Sequence, residues 1–150
     1  MSMTMPKVVS VNTSEEKGTR KYQVPCVLLR VDFGVDGDAH AGAGNRQVSL
    51  LALESIERMR RKGVDVGPGD FAENVTTQGI DLASLPIGTR LRIGETVVEV
   101  TQIGKECHKG CKIREIVGDC AMPREGIFVR VLKGGEIRSG NEIVEERVEG

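Results

Sequence analysis

Glycine-punctuated runs of β-branched and aliphatic residues constrain this chain more than any other feature of its sequence. Nineteen glycines divide 150 residues into short apolar stretches, and only three Phe and one Tyr supply aromatic bulk. Such a pattern suits short strands around an aliphatic core. Lys7 to Val11 and Pro25 to Asp32 read as two strands, separated by the polar stretch Asn12 to Lys21. Leu91 to Ile93 and Val97 to Thr101 flank Gly94 and Glu95, and glycine at the first central position favours a tight hairpin turn. Ile127 to Leu132, Gly134, Gly135, Ile137 and Ile143 to Val148 continue the pattern, so the C-terminal third is expected to be β.

One helix is expected from about Val48 to Lys62, because Leu53, Ile56 and Met59 recur at helical spacing while Glu54, Glu57, Arg58 and Arg61 take other faces. Ser49 is placed to cap its start and Gly63 its end. A shorter helical turn is expected at Asp81 to Leu85. Without repeats, linkers or regular βαβ alternation, the chain reads as a single mainly β domain over 1–150, a barrel or folded sheet with few peripheral helices.

Composition excludes several classes of function. With 39% hydrophobic and 29% charged residues the chain can bury a core. The 21 basic and 22 acidic residues give a net charge of -1, so no global field gathers nucleic acid or anionic lipid. No nucleic-acid or membrane partner is expected. No apolar run approaches the roughly 18 residues of a membrane span, and the N-terminus lacks the apolar block of a signal peptide. A cytoplasmic protein is the expectation. Of the four cysteines, Cys107, Cys111 and Cys120 lie close together, which in a reducing compartment points to reactivity or metal binding over a disulfide framework. Cys26, in an apolar strand, reads as a small buried hydrophobe.

Three polar, glycine-rich stretches are candidates for chemistry. Gly37 to Gly42 contains Asp38 and His40 and leads to Asn45 and Arg46 before the expected helix. Its amides and Arg46 can hold a phosphate or carboxylate, or Asp38 can simply cap backbone amides in a tight turn. Gly67 to Thr76 carries Asp70, Glu73 and Asn74, able to orient a ligand, although turn formation explains them better and Phe71 reads as a core plug. Gly104 to Lys112 places Cys107 and Cys111 among Lys105, Lys109, Lys112 and Arg114, and nearby positive charge raises the thiolate fraction. The second hairpin strand is expected to deliver Cys107 to a cleft shared with Gly37 to Arg46. The competing reading is a structural zinc site made by Cys107, Cys111, Cys120 and either His108 or His40, serving a non-catalytic β-barrel interaction module.

Taken in order, GVDGDAHAG with RQVSLLALESIE, then GDFAENVTTQGIDLASLPIGTRLRIG, EVTQIGKECHKGC and GDCAMPREGIFVRVLKGGEIRSGNEI resemble a stand-alone MOSC domain, named for the C-terminal region of molybdenum-cofactor sulfurase. The resemblance implies a β-barrel-like fold with a few peripheral helices and a role in molybdenum-cofactor or sulfur chemistry. The protein is then a sulfur carrier or transferase, or part of a molybdenum-dependent reductase. It implies Cys107 as the reactive thiol and molybdenum ligand, with Cys111 as the alternative where relatives carry a cysteine pair. Asp38, His40, Arg46, Asn74, Lys105, Lys109 and Arg124 are the implied residues for the molybdenum cofactor. A cysteine desulfurase-type sulfur donor, or a molybdoenzyme or redox partner, is the implied partner. Pyridoxal phosphate binding enters only as a family-level association.

Overall fold

The computed structural model describes residues 6–14, 21–38, 41–42, 44, 47–63, 65–104 and 126–146. The chain runs β1 (Lys7–Thr13), β2 (Tyr22–Val24), β3 (Cys26–Arg30), β4 (Gly34–Val35), β5 (Val48–Ala52), α1 (Leu53–Arg61) and β6 (Val75–Gln78). A 3-10 turn at Leu82–Ser84 precedes β7 (Arg90–Ile93), β8 (Thr96–Ile103), β9 (Ile127–Lys133), β10 (Gly135–Arg138) and β11 (Ile143–Glu146). An eight-stranded sheet has the order β11-β7-β8-β9-β5-β6-β1-β2, and a three-stranded sheet the order β10-β3-β4.

The large sheet curls because strands near its two ends meet. Val8 N–H donates to Asn141 O at 2.8 Å, Gly140 N–H to Val8 O at 2.8 Å and Ile143 N–H to Pro6 O at 2.9 Å. A bridge between Lys7 and Glu142 lies beside them. The ladder is not continuous there, so the fold is mainly β and barrel-like without a closed barrel. Alternating inward residues fill the interior: Val8, Val11, Leu50, Val75, Leu91, Ile93, Val98, Val100, Ile127 and Val129 are buried in one cluster, as period-two strands with one wet face require.

The β7–β8 hairpin forms as expected. Gly94 turns it with φ +57, and Arg90 to Ile93 pair antiparallel with Glu99 to Thr96.

The expected helix is shorter than its apolar pattern. Val48–Ala52 form β5, every residue of which is buried, because this strand lies between β9 and β6 and needs apolar side chains on both faces. Helical periodicity starts only at Leu53, and α1 spans Leu53–Arg61. Ser49 therefore does not cap it; Ala52 occupies that position without a side-chain bond. Gly63 does end it, at φ +91, with its N–H bonded to Arg60 O. Ile56 and Met59 pack against Leu51, Val66, Phe71 and Phe128 in a second cluster. Because β5 and β6 are parallel, α1 is the crossover of one βαβ unit, which the apparent absence of alternation hid.

Cys26 is also corrected: it is exposed. β3 alternates, with Val27 and Leu29 inside and Cys26, Leu28 and Arg30 outside, so the thiol falls on the wet face of the small sheet.

Candidate functional site

A buried polar layer collects where β1 ends and where β5 and β6 begin. Asn12, in an otherwise β-branched strand, has no exposure. Its Nδ2 donates to Glu73 O at 3.1 Å and to Thr76 Oγ1 at 3.2 Å, and its Oδ1 accepts from Ser10 Oγ at 3.0 Å. Asn74 joins three segments. Its Oδ1 accepts from Ser49 N–H at 3.0 Å and Ser49 Oγ at 3.2 Å, and its Nδ2 donates to Asn12 O at 3.3 Å. These side chains satisfy one another, as buried polar groups must.

Asp38 forms the second centre. Lys21 Nζ donates to its two carboxylate oxygens at 2.8 and 3.1 Å, with neither side chain exposed to solvent. Thr13 Oγ1 and Ser14 N–H add bonds at 3.0 and 3.1 Å. Burying the carboxylate is tolerable because it is both paired and hydrogen-bonded. The pair anchors the start of the loop that leads to His40 and Arg46. Gly42 N–H bonds to Phe33 O at 2.7 Å. At the loop's far end, the fully buried Gln47 donates to Asp32 Oδ1 at 2.7 Å and Gly44 O at 3.1 Å while accepting from Val131 N–H at 2.9 Å.

The turn over 67–74 bonds to Lys21, the partner of Asp38, and shares a buried cluster with β9. Lys21 N–H donates to Gly69 O at 2.8 Å, and a Cβ on Gly69, at φ +89, would lie 2.3 Å from Lys21 O; only glycine fits this approach. Two residues on, Phe71 packs with Phe128. Phe128 follows Gly126, whose carbonyl accepts from Gly104 N–H at 2.7 Å. The cysteine-bearing segment leaves and re-enters the sheet at that Gly104–Gly126 pair.

Of the predicted residues, Asp38 and Asn74 lie within this layer, with their polar atoms engaged by protein groups; both position backbone. His40, Arg46, Lys105, Cys107, Lys109, Cys111 and Arg124 lie outside the described residues, as do His108 and Cys120. The expected cleft between Cys107 and the Asp38 loop, and the zinc alternative, lie there too. Among the described residues no cluster of His, Cys, Asp or Glu suits a metal ion, and no helix is long and apolar enough to cross a membrane. A half-open cavity of about 420 Å³ between α1 and residues 79–83 includes none of the predicted residues.

Sequence reasoning missed Lys21 and considered Glu73 only for orienting a ligand, in a stretch whose structural reading was favoured. Glu73 is fully buried, and burial pushes its carboxyl up to about 7. Asn12 gave no signal of this buried layer, because it opens the polar stretch 12–21 in the sequence; the structure continues β1 through it to Thr13 and buries it.

A family model described as the MOSC domain matches residues 36–144. Among solved structures, YuaD from Bacillus subtilis is 20% identical, with 93% of this chain and 94% of that one covered at a TM-score of 0.76. YiiM from Geobacillus stearothermophilus is 21% identical, with 95% and 75% covered at a TM-score of 0.74. YiiM from Escherichia coli is also 21% identical, with 98% and 73% covered at 0.69. At these identities the likeness establishes the fold. No curated protein matches the chain.

Proposed function

The chain belongs to the MOSC domain family, and from that premise we propose that it binds molybdenum cofactor or a maturation intermediate, or carries sulfur on a cysteine. Cys107 is the reactive thiol in this reading, and Cys111 is its alternate. One observation supports it most: the 67–74 turn bonds to Lys21, whose ammonium holds Asp38 at the start of its loop, and Phe71 of that turn shares a buried cluster with Phe128, two residues after the Gly126 whose carbonyl accepts from Gly104 N–H. The turn thereby connects the strand positions that support two segments distant in sequence.

The donor set suits the group. Lys21 neutralises Asp38, so this carboxylate presents no unpaired charge to a pterin phosphate. Arg46, Lys105, Lys109 and Arg124 supply cations for charge-assisted bonds to it, with His40 in the same loop as Arg46. When bound, the cofactor supplies a soft metal centre that accepts a thiolate ligand. The chain's own part is to present that thiolate, hold the phosphate and fix the supporting loop through Asp38 and Asn74. As a sulfur carrier, the Cys107 thiolate attacks the outer sulfur of a donor persulfide. The donor's thiolate leaves, and the sulfane sulfur changes partner without any further oxidant. A cysteine desulfurase-type donor fits this step; a molybdoenzyme or redox partner fits the cofactor-binding form.

Cys107→Ser is expected to lose sulfur loading or cofactor retention while keeping its wild-type melting temperature, since serine preserves size but offers a hard, weakly acidic oxygen. Intact-mass measurement after incubation with a desulfurase and free cysteine reads the added sulfur. Full loading in Cys107→Ser with loss in Cys111→Ser moves the role to the second cysteine; full loading in both removes the thiol from the account.

A further inference from the structure

We propose that the cavity between α1 and residues 79–83 is a binding site for a small zwitterion, a free α-amino acid with an apolar side chain. Arg58 receives its carboxylate, Glu54 and Asp81 its ammonium group, and Ala52, Ile80 and Leu82 its side chain.

The cavity lies at the carboxyl ends of the parallel strands β5 and β6, where α1 begins and residues 79–83 leave the sheet. Ligands of α/β sheets gather outside this end of parallel strands. A volume of about 420 Å³ is within the range of small-molecule sites. The wall is divided by chemistry. Ala52 and Leu82 are buried members of the interior cluster and Ile80 packs against it, which supplies an apolar surface. Arg58, Glu54 and Asp81 supply the charges.

Those charges stay apart where a helical ion pair is expected. Glu54 and Arg58 stand one turn apart on α1, in the spacing and order that favour a salt bridge, yet each is held elsewhere. Glu54 Oε2 accepts from Gly79 N–H at 3.0 Å, and Arg58 donates to Ser55 Oγ at 3.2 Å. The exposed Asp81 adds a second carboxylate. Two carboxylates and one guanidinium lining a single cavity match a ligand that carries both signs: a carboxylate alone meets Glu54 and Asp81 as like charges, and an amine alone meets Arg58. A guanidinium takes a carboxylate through two parallel N–H bonds, and an ammonium group has three donors to share between two carboxylates. Ala52 caps α1 without a side-chain bond, so the first-turn amides also favour the carboxylate end. None of these residues belongs to the proposed cofactor or sulfur site, and amino-acid binding here does not depend on it.

Titration of the isotope-labelled full chain with L-leucine, followed by NMR, tests the site. Saturable shifts are expected at the Ser55, Gly79 and Ile80 amides, with a dissociation constant of about 1 mM or below, and none at Val129 in β9. Isocaproate, which is leucine without its ammonium group, and isoamylamine, which is leucine without its carboxylate, are each expected to bind about tenfold more weakly. Arg58→Gln is expected to weaken leucine binding about tenfold, and Asp81→Asn about threefold because its carboxylate is more open to solvent screening. Both positions are exposed, so both variants are expected to keep the wild-type spectrum away from the cavity. If either does not fold, the two leucine analogues on the wild-type protein decide the matter. No saturable shift with leucine overturns the site. Equal affinity for leucine and either analogue, or unchanged leucine affinity in a folded Arg58→Gln or Asp81→Asn protein, overturns it as well.

Discussion

Lys21→Met is expected to lower folding stability by about 3–5 kcal/mol, because it leaves the Asp38 carboxylate buried without its cation. Lys21 and Asp38 have no side-chain exposure and a closest contact of 2.8 Å, so solvent does not take the place of the ammonium. The Thr13 and Ser14 donors remain, which keeps the expected loss below the full cost of an isolated charge. Against a typical domain stability of about 5–15 kcal/mol, this is a large fraction. Urea unfolding at neutral pH should show a lower midpoint at unchanged slope. The double variant Lys21→Met with Asp38→Asn should recover part of the loss, since the stranded charge is gone. A single variant within about 1 kcal/mol of wild type, a cost typical of exposed pairs, would contradict the buried pair.

The wild-type protein is expected to lose stability as pH rises from about 4.5 to about 7, a direction opposite to that of most native carboxylates. The Glu73 carboxyl titrates near 7 when folded and near 4.5 otherwise. Between those values the folded state binds more protons than the unfolded state, so raising the pH favours unfolding. Above about 7 both states are ionised and this contribution levels off. The interval corresponds to roughly 3 kcal/mol. Glu73→Gln removes the titration while keeping a side chain of similar shape, whose single oxygen accepts from Phe71 N–H or Thr76 Oγ1 but not from both, since the two donors bond to different carboxylate oxygens. It should therefore equal or trail the wild type near pH 4.5 and exceed it by up to roughly 3 kcal/mol at pH 8. The difference between the two stability profiles isolates Glu73 from every ionisable group that the two proteins share. Parallel profiles would contradict a proton-bearing Glu73.

The sequence revealed features whose causes are local. Gly94 and the alternating residues around it specify the β7–β8 hairpin, and Leu53, Ile56 and Met59 specify the helix. Val48–Ala52 misled because a short apolar run reads alike as buried strand or helix start; the choice is made by β6 and β9 on either side. Cys26 misled because apolar composition was read without strand parity. The buried polar layer was the least visible part. Asn12 reaches Glu73 and Thr76 across 61 and 64 residues, and Lys21 meets Asp38 across 17. Asn74, a typical turn residue by type, and its neighbour Glu73 bond within the interior, to β1, β5 and Thr76. The family resemblance spanned this region and assigned Asp38 and Asn74 to the cofactor; the structure adds that their polar atoms hold β1, β5 and Lys21 in place.

A reactive thiol serving molybdenum-cofactor or sulfur chemistry is tested most directly by the elemental and sulfur content of tag-free protein purified from cells that make the cofactor. Molybdenum with pterin fluorescence, or labile sulfur released by reductant and lost in Cys107→Ser, is the predicted result. Stoichiometric zinc with no pterin and no labile sulfur would contradict it and leave a zinc-stabilised interaction module in its place.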